Sequence, residues 1–201
     1  VKSSYARVGG VLLMLVGGCV QDEQERSTPY VWALPDHLPA PVVPRNNPMT
    51  VEKVNLGRHL FFDESLSVSG DISCGSCHLP SMAFTDGEAR SRGADGERGV
   101  RSSMSLANVA YMPTLTWGNP VLESLEDQAL VPLFVDQPLE MGTHFVLDEA
   151  LQRFSNDEYY RALFDAAFVG SESSISVANI AAALASFERS LISAGSPYDH
   201  Y

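Results

Sequence analysis

Apolar positions recur at helical spacing along most of the 201-residue chain, and no run alternates convincingly at period two. Thr50 can cap a first helix reaching about Phe62, with Val51, Val54 and Phe61 along one side and Arg58 between them. Leu122, Leu125, Ala129 and Leu133 define a second helical stretch. Pro132 should end or bend it, because proline lacks an N–H and its ring crowds the preceding turn. Leu147, Leu151 and Phe154 mark a short amphipathic segment; Tyr160, Leu163, Phe164 and Ala167 mark another, stopped by Gly170. The clearest stripe runs from Ser176 to about Ser193, where Val177, Ile180, Ala181, Leu184, Phe187 and Leu191 share a face. Leu79 to Ser103 is irregular and carries Gly87, Gly93, Gly96 and Gly99. The expected fold is all-α with long loops and no internal repeat.

The N-terminus reads differently. Lys2 and Arg7 flank the approach to a short apolar run, Val8 to Val16, too brief to span a bilayer, so residues 1–18 have the form of an export signal. Val16-Gly17-Gly18-Cys19 resembles the lipobox of bacterial lipoproteins, which would make Cys19 a lipidated first residue holding the protein on a membrane. An ordinary secretory peptide with Cys19 incidental is the alternative, and both readings imply a periplasmic protein. Val20, where an aspartate would signal inner-membrane retention, favours the outer membrane. Residues 19–49 are polar and then rich in proline (Pro35, Pro39, Pro41, Pro44, Pro48), a tether and an extended arm ahead of a folded domain over residues 50–201. The formal net charge is −12, and loss of the signal would make the chain more acidic still. Such a balance argues against a nucleic-acid partner.

Candidate chemistry centres on Cys74-Gly75-Ser76-Cys77-His78, the spacing by which a c-type haem is attached. Each thiol can form a thioether with a haem vinyl group, and the turn then sets His78 under the iron as proximal ligand. A redox Cys-x-x-Cys pair, half of a zinc site and a small disulfide loop compete with this reading. Zinc would need two further ligands, and the chain has no second cysteine pair or closely spaced histidine pair. With Cys19 lipidated and Cys74 and Cys77 on haem, no thiol is left over. Arg90, Arg92, Arg98 and Arg101 cluster after the motif in an otherwise acidic chain. Either they pair with haem propionates, or they neutralise local acids such as Asp86, Glu88, Asp95 and Glu97.

Several stretches together resemble one family. Leu56-Gly57-Arg58-His59-Leu60-Phe61-Phe62-Asp63, Leu66-Ser67, the haem motif, Ala83-Phe84-Thr85-Asp86-Gly87, Leu106-Ala107-Asn108-Val109-Ala110-Tyr111, Leu125-Glu126-Asp127-Gln128-Ala129, Pro138-Leu139-Glu140-Met141-Gly142 and Phe187-Glu188-Arg189-Ser190-Leu191 occur in the order of bacterial di-haem cytochrome c peroxidases and their MauG-like relatives. Asn47-Pro48-Met49-Thr50, Leu115-Thr116-Trp117 and Val131-Pro132-Leu133-Phe134 look closest to the MauG-like enzymes associated with methanobactin biosynthesis, which oxidise a tryptophan on a partner protein. The resemblance implies a cytochrome c-like haem domain, the first of two. A second Cys-x-x-Cys-His is absent from the sequence, so a second haem is expected in a domain not contained here. A one-haem protein, or a second half supplied in trans, is the alternative.

The same resemblance implies roles. Gln128, Pro132 and Glu140 match positions lining the distal side of the first haem, with Glu140 as general acid/base toward hydrogen peroxide; the Pro132–Glu140 interval is two residues longer than in the family. Trp117 matches a tryptophan between the haems, a route for electrons, and reads otherwise as a core aromatic. Phe84 is expected to pack near the haem. No histidine lies between His78 and His144, which implies an iron already open to peroxide without reductive activation. Ser102 replaces the family's calcium asparagine, leaving calcium doubtful. His37, His59, His144 and His200 receive no ligand role. Electrons would come from a small cytochrome, or a partner protein would be oxidised. A different class remains open: a non-catalytic electron carrier in which Met104, Met112 or Met141 closes the sixth position. Expressed in a host that matures cytochromes, the exported chain is expected to carry one covalent porphyrin by mass spectrometry; an unmodified mass would refute the attachment.

Overall fold

The computed structural model describes residues 27–199. The export signal, the lipobox, Cys19 and His200 lie outside the described residues. Among the described residues six α-helices follow in order: α1 (Val51–Phe61), α2 (Cys74–Cys77), α3 (Leu125–Phe134), α4 (Leu147–Asn156), α5 (Glu158–Ala167) and α6 (Val177–Arg189). Short 3₁₀ turns punctuate the loops, and the described residues contain isolated β-bridges but no strand. None of the described helices is long and apolar enough to cross a membrane.

The helix starts follow from side chains that satisfy orphan N–H groups. Thr50 accepts from the Lys53 amide, Ser124 from Asp127, Asp157 from Tyr159 and Tyr160, and Ser176 from Asn179. Because Ser124 opens α3, Leu122 falls outside the helix that the apolar spacing suggested. Pro132 ends that helix less abruptly than expected: it lies two residues before the terminus at Phe134, so its missing N–H withholds a single bond, the one to the Gln128 carbonyl. The last helix is shorter than its apolar stripe, since Ser190 already closes α6 and Leu191 packs from the following loop.

The core is the crossing of α1 on α6, flanked by α3 and α5. Leu56, Leu60, Phe61, Ile180, Leu184 and Phe187 are buried there. Gly57 permits the crossing, because a Cβ at this position would lie 1.9 Å from the Ala183 carbonyl oxygen and 2.8 Å from the Phe187 Cβ. Phe187 then meets both Phe61 and Phe62, with ring centroids 5.1 and 6.3 Å apart. A polar knot locks the same region. Asn47 donates to Glu126 Oε1 (2.7 Å) and to the Ala182 carbonyl (2.9 Å), Lys53 Nζ donates to Asn47 Oδ1 (2.9 Å), and Arg189 donates to both Glu126 oxygens at 3.0 Å.

Residues 27–49 run against the helices without helix or strand of their own, turning where Leu38 bonds Pro35 and Asn47 bonds Pro44. Pro29 bridges Thr50, and Tyr111 donates to the Pro39 carbonyl (2.7 Å). Farther round, Asp63 accepts from Arg153 and from Tyr160, tying the end of α1 to α4 and α5.

Gly57→Ala is expected to destabilise the haem-loaded protein by about 1–3 kcal/mol, because two backbones must part to admit a methyl group. Chemical denaturation followed by far-UV circular dichroism measures it; an unchanged midpoint would show that the crossing can relax at no cost.

Candidate haem site

The motif cysteines sit on one turn of helix. Ser73 precedes α2 with a capping box in which Ser76 Oγ accepts from the Ser73 amide (3.0 Å), and the His78 amide closes the turn on the Cys74 carbonyl (3.0 Å). Cys74 and Cys77 are free thiols on this turn. Burial pushes Cys74 up to about 12, helped by the negative charges of Glu188 and Glu140, and pushes Cys77 up to about 11, helped by Asp86 and Glu140. Redox-active pairs and zinc sites need thiolates at neutral pH, so these surroundings oppose both of those readings. Among the described residues no three His, Cys, Asp or Glu side chains are grouped to hold a metal ion.

His78 is oriented by a backbone device that the sequence did not reveal. Its Nδ1 lies 2.8 Å from the Phe84 carbonyl oxygen. A carbonyl only accepts, so Nδ1 carries the proton and Nε2 carries the lone pair that could bind iron, although the Met104 backbone also interacts with the ring. Burial holds the His78 pKa below the ordinary imidazole value, which keeps the ring neutral and able to ligate. The carbonyl reaches that point because Ala83 and Phe84 both adopt the left-handed conformation, with φ of 55° and 60°. Two such residues in succession, neither a glycine, cost of order 1–3 kcal/mol each. Bonds from the Phe84 amide to the Leu79 carbonyl (2.9 Å), from the Leu79 amide to Thr85 (3.1 Å) and from Ser105 Oγ to Ala83 (2.5 Å) hold the turn. The Phe84 ring also packs against Phe61, 6.3 Å between centroids.

Paired free thiols, a histidine anchored at Nδ1, and exposed apolar side chains (Phe62, Leu79, Met82) fit a covalently held haem. Phe62 supports the turn from behind, since a Cβ on Gly75 would strike its ring at 2.4 Å.

The three residues matched to the distal side come together through backbone contacts. Gln128 and Pro132 lie one turn apart on α3 and are half-buried. The Pro132 carbonyl accepts from the Met141 amide (2.9 Å), which brings Glu140 alongside. The Ala94 amide donates to the Glu140 carbonyl (2.8 Å), and Gly93 lies so close that a Cβ would be 1.9 Å from the Leu139 carbonyl oxygen. Across the same loop, His144 Nε2 pairs with Asp136 Oδ1 at 2.9 Å. The Glu140 side chain opens to solvent, yet the surrounding protein raises its carboxyl above the ordinary range by desolvation.

Trp117 is not a core aromatic: it is 54% exposed, and its indole N–H donates to the Ser102 carbonyl (2.7 Å). Of the clustered arginines, Arg98 pairs with Glu88 (3.1 Å) and Arg92 donates to the Gly96 carbonyl; all four are exposed. Arg98 thus neutralises a local acid. Of the histidines without a ligand role, His59 meets the Tyr159 hydroxyl at 3.0 Å and His144 meets Asp136.

A helical domain with a Cys-x-x-Cys-His turn, a carbonyl-anchored histidine and a carboxyl-bearing loop within electrostatic reach of both thiols fits a c-type haem domain. The chain belongs to the di-haem cytochrome c peroxidase family, whose model matches residues 51–201. It is 36% identical over 167 residues to the methylamine utilization protein MauG of Methylophilus methylotrophus, covering 83% of this chain and 47% of that protein. It is 32% identical over 155 residues to the cytochrome c551 peroxidase of Nitrosomonas europaea, covering 77% of this chain and 44% of that protein. Among solved structures, a MauG-like protein associated with microbial copper homeostasis superposes with a TM-score of 0.83 at 46% identity, over 86% of this chain and 49% of that one. The chain therefore spans about half the length of the relatives it matches.

His78→Ala is expected to give little stable holoprotein in a cytochrome-maturing host, measured by haem stain and absorption; normal iron spectra in the variant would refute the proximal role.

Proposed function

We propose that this chain is the haem-bearing domain of a periplasmic oxidoreductase that reacts with hydrogen peroxide, either drawing electrons from a small cytochrome or oxidising a partner protein. The observation that carries the reading is the anchored, neutral His78 beside two free thiols, with the Glu140 loop pinned in electrostatic reach of both thiols. Cys74, Cys77 and His78 would hold the haem, which would supply the redox chemistry for reaction with peroxide.

The protein's own groups do the proton work. The Glu140 carboxylate takes a proton from the entering peroxide oxygen and returns it to the departing one, and its raised pKa matches it to both steps. The Gln128 amide orients peroxide, and the Pro132 ring excludes water while its carbonyl holds the Glu140 loop through Met141. The exposed Trp117 indole, fixed by Ser102, offers an exit for oxidising equivalents. A lipid on Cys19 would keep the domain at a membrane. Calcium has no part in the proposal: Ser102 replaces the expected asparagine, and its carbonyl already serves Trp117.

For the electron-carrier alternative, Met141 is buried in the core, Met112 is half-buried against it, and half-buried Met104 interacts with the His78 ring through its backbone, so none of the three candidates is an exposed thioether.

Glu140→Gln is expected to leave haem attachment intact and to slow the reaction with peroxide about tenfold or more, read by stopped-flow absorption. In the wild type the rate should fall as pH drops through the raised carboxyl pKa, since protonation removes the base, and the variant should lose that limb. An unchanged rate would remove Glu140 from the mechanism.

A further inference from the structure

Glu188, in the last turn of α6, has no place in the chemistry above. It is a carboxyl only 6% exposed, and its Oε2 is fully buried with no hydrogen-bond partner. Arg189, the next residue, is not available to it as a hydrogen-bonded partner, because that guanidinium is spent on Glu126 of α3. Glu126 adds a second negative charge that opposes ionisation of Glu188, while Arg189 favours it more weakly than burial opposes it. Lys53 of α1 serves Asn47 and the Pro48 carbonyl instead. The remaining neighbour is the haem turn: the charge of Glu188 is felt at Cys74 more strongly than that of Cys77 or Glu140. Phe187, adjacent in sequence, packs on Phe62, which in turn packs on Gly75. Glu188 thus lies within electrostatic reach of the first haem-attachment cysteine.

An unpaired carboxyl in such a place is held neutral by desolvation, and burial pushes Glu188 up to about 8. Its charge state is therefore poised to answer a change of charge nearby. Removing an electron from a haem adds one unit of positive charge to the site. In low dielectric, opposite charges within several ångströms interact strongly enough to shift both equilibria.

We propose that Glu188 is a proton-binding site coupled to the haem electron: it releases its proton to solvent when one electron leaves the haem, and takes a proton back when one electron returns. Charge balances, since one electron and one proton move out together and return together. The coupling is reciprocal, so ionised Glu188 must favour the oxidised haem by as much as oxidation favours its ionisation. The inference needs only the covalently attached haem. It does not depend on the reaction with peroxide.

The test is a spectroelectrochemical titration of the full haem-loaded chain from about pH 6 to about pH 10, a range bracketing the Glu188 transition. The midpoint potential should fall with rising pH in the wild type, become flat over that range in Glu188→Gln, and still fall in Glu140→Gln. A flat wild-type profile overturns the proposal without any variant. So does a pH dependence that survives Glu188→Gln or disappears in Glu140→Gln, either of which would assign the proton elsewhere. Peroxide reactivity of the wild type, measured separately, tests the proposed function on its own.

Discussion

The contact on which the rest of the structure depends is the passage of the α1 backbone across that of α6 at Gly57. With no side chain there, the Ala183 carbonyl comes within reach of the α1 main chain, and everything carried by the two helices is placed by that distance. Phe61 reaches His78 and Phe84, with centroids 6.3 Å away in each case. Phe62 backs the cysteine turn, Phe187 locks both rings, and Glu188 comes within electrostatic reach of Cys74. The haem turn itself is a single turn of helix, too short to hold its own geometry. Its position is borrowed from the crossing behind it.

Above that support the site is assembled largely from backbone groups. Main-chain bonds at Phe84, Pro132 and Ala94 orient the imidazole and pin the loop of the candidate acid/base. Main-chain donors and acceptors do not titrate, so they fix geometry without adding charge near the iron. Of the titratable groups that do lie close, Glu140 and Glu188 are shifted toward the neutral form, whereas Asp86, whose charge reaches Cys77 and His78, is shifted toward the charged form by hydrogen bonds from Ser91, Ser103 and the Glu88 amide.

Much of this was legible in the sequence, for identifiable reasons. The cysteine–histidine spacing states a covalent chemistry, the Thr50 cap and the α6 stripe are local patterns, and Glu140 was reached through motifs either side of it. For Trp117 only the alternative of a core aromatic is overturned by its exposure, because an indole anchored by one hydrogen bond to a distant carbonyl has no periodic signature. The Phe84 carbonyl was invisible for a related reason: any residue has a carbonyl, and only the unusual backbone at Ala83 and Phe84 aims this one. Glu188 was quoted within a motif, yet its significance depends on burial among α3, α6 and the haem turn, and burial of a charged residue runs against what its identity predicts.

The arm ahead of α1 has a role beyond connection. Asn47 is nearly inaccessible and joins Glu126, Lys53 and the Ala182 carbonyl. Its amide is thus the keystone of an arch whose other stones come from three helices. Strain on the leader side of the chain is therefore delivered to the helix junction itself, not absorbed by slack before it. The mechanical start of the globule lies in the proline-rich strap, upstream of the point where helical winding begins.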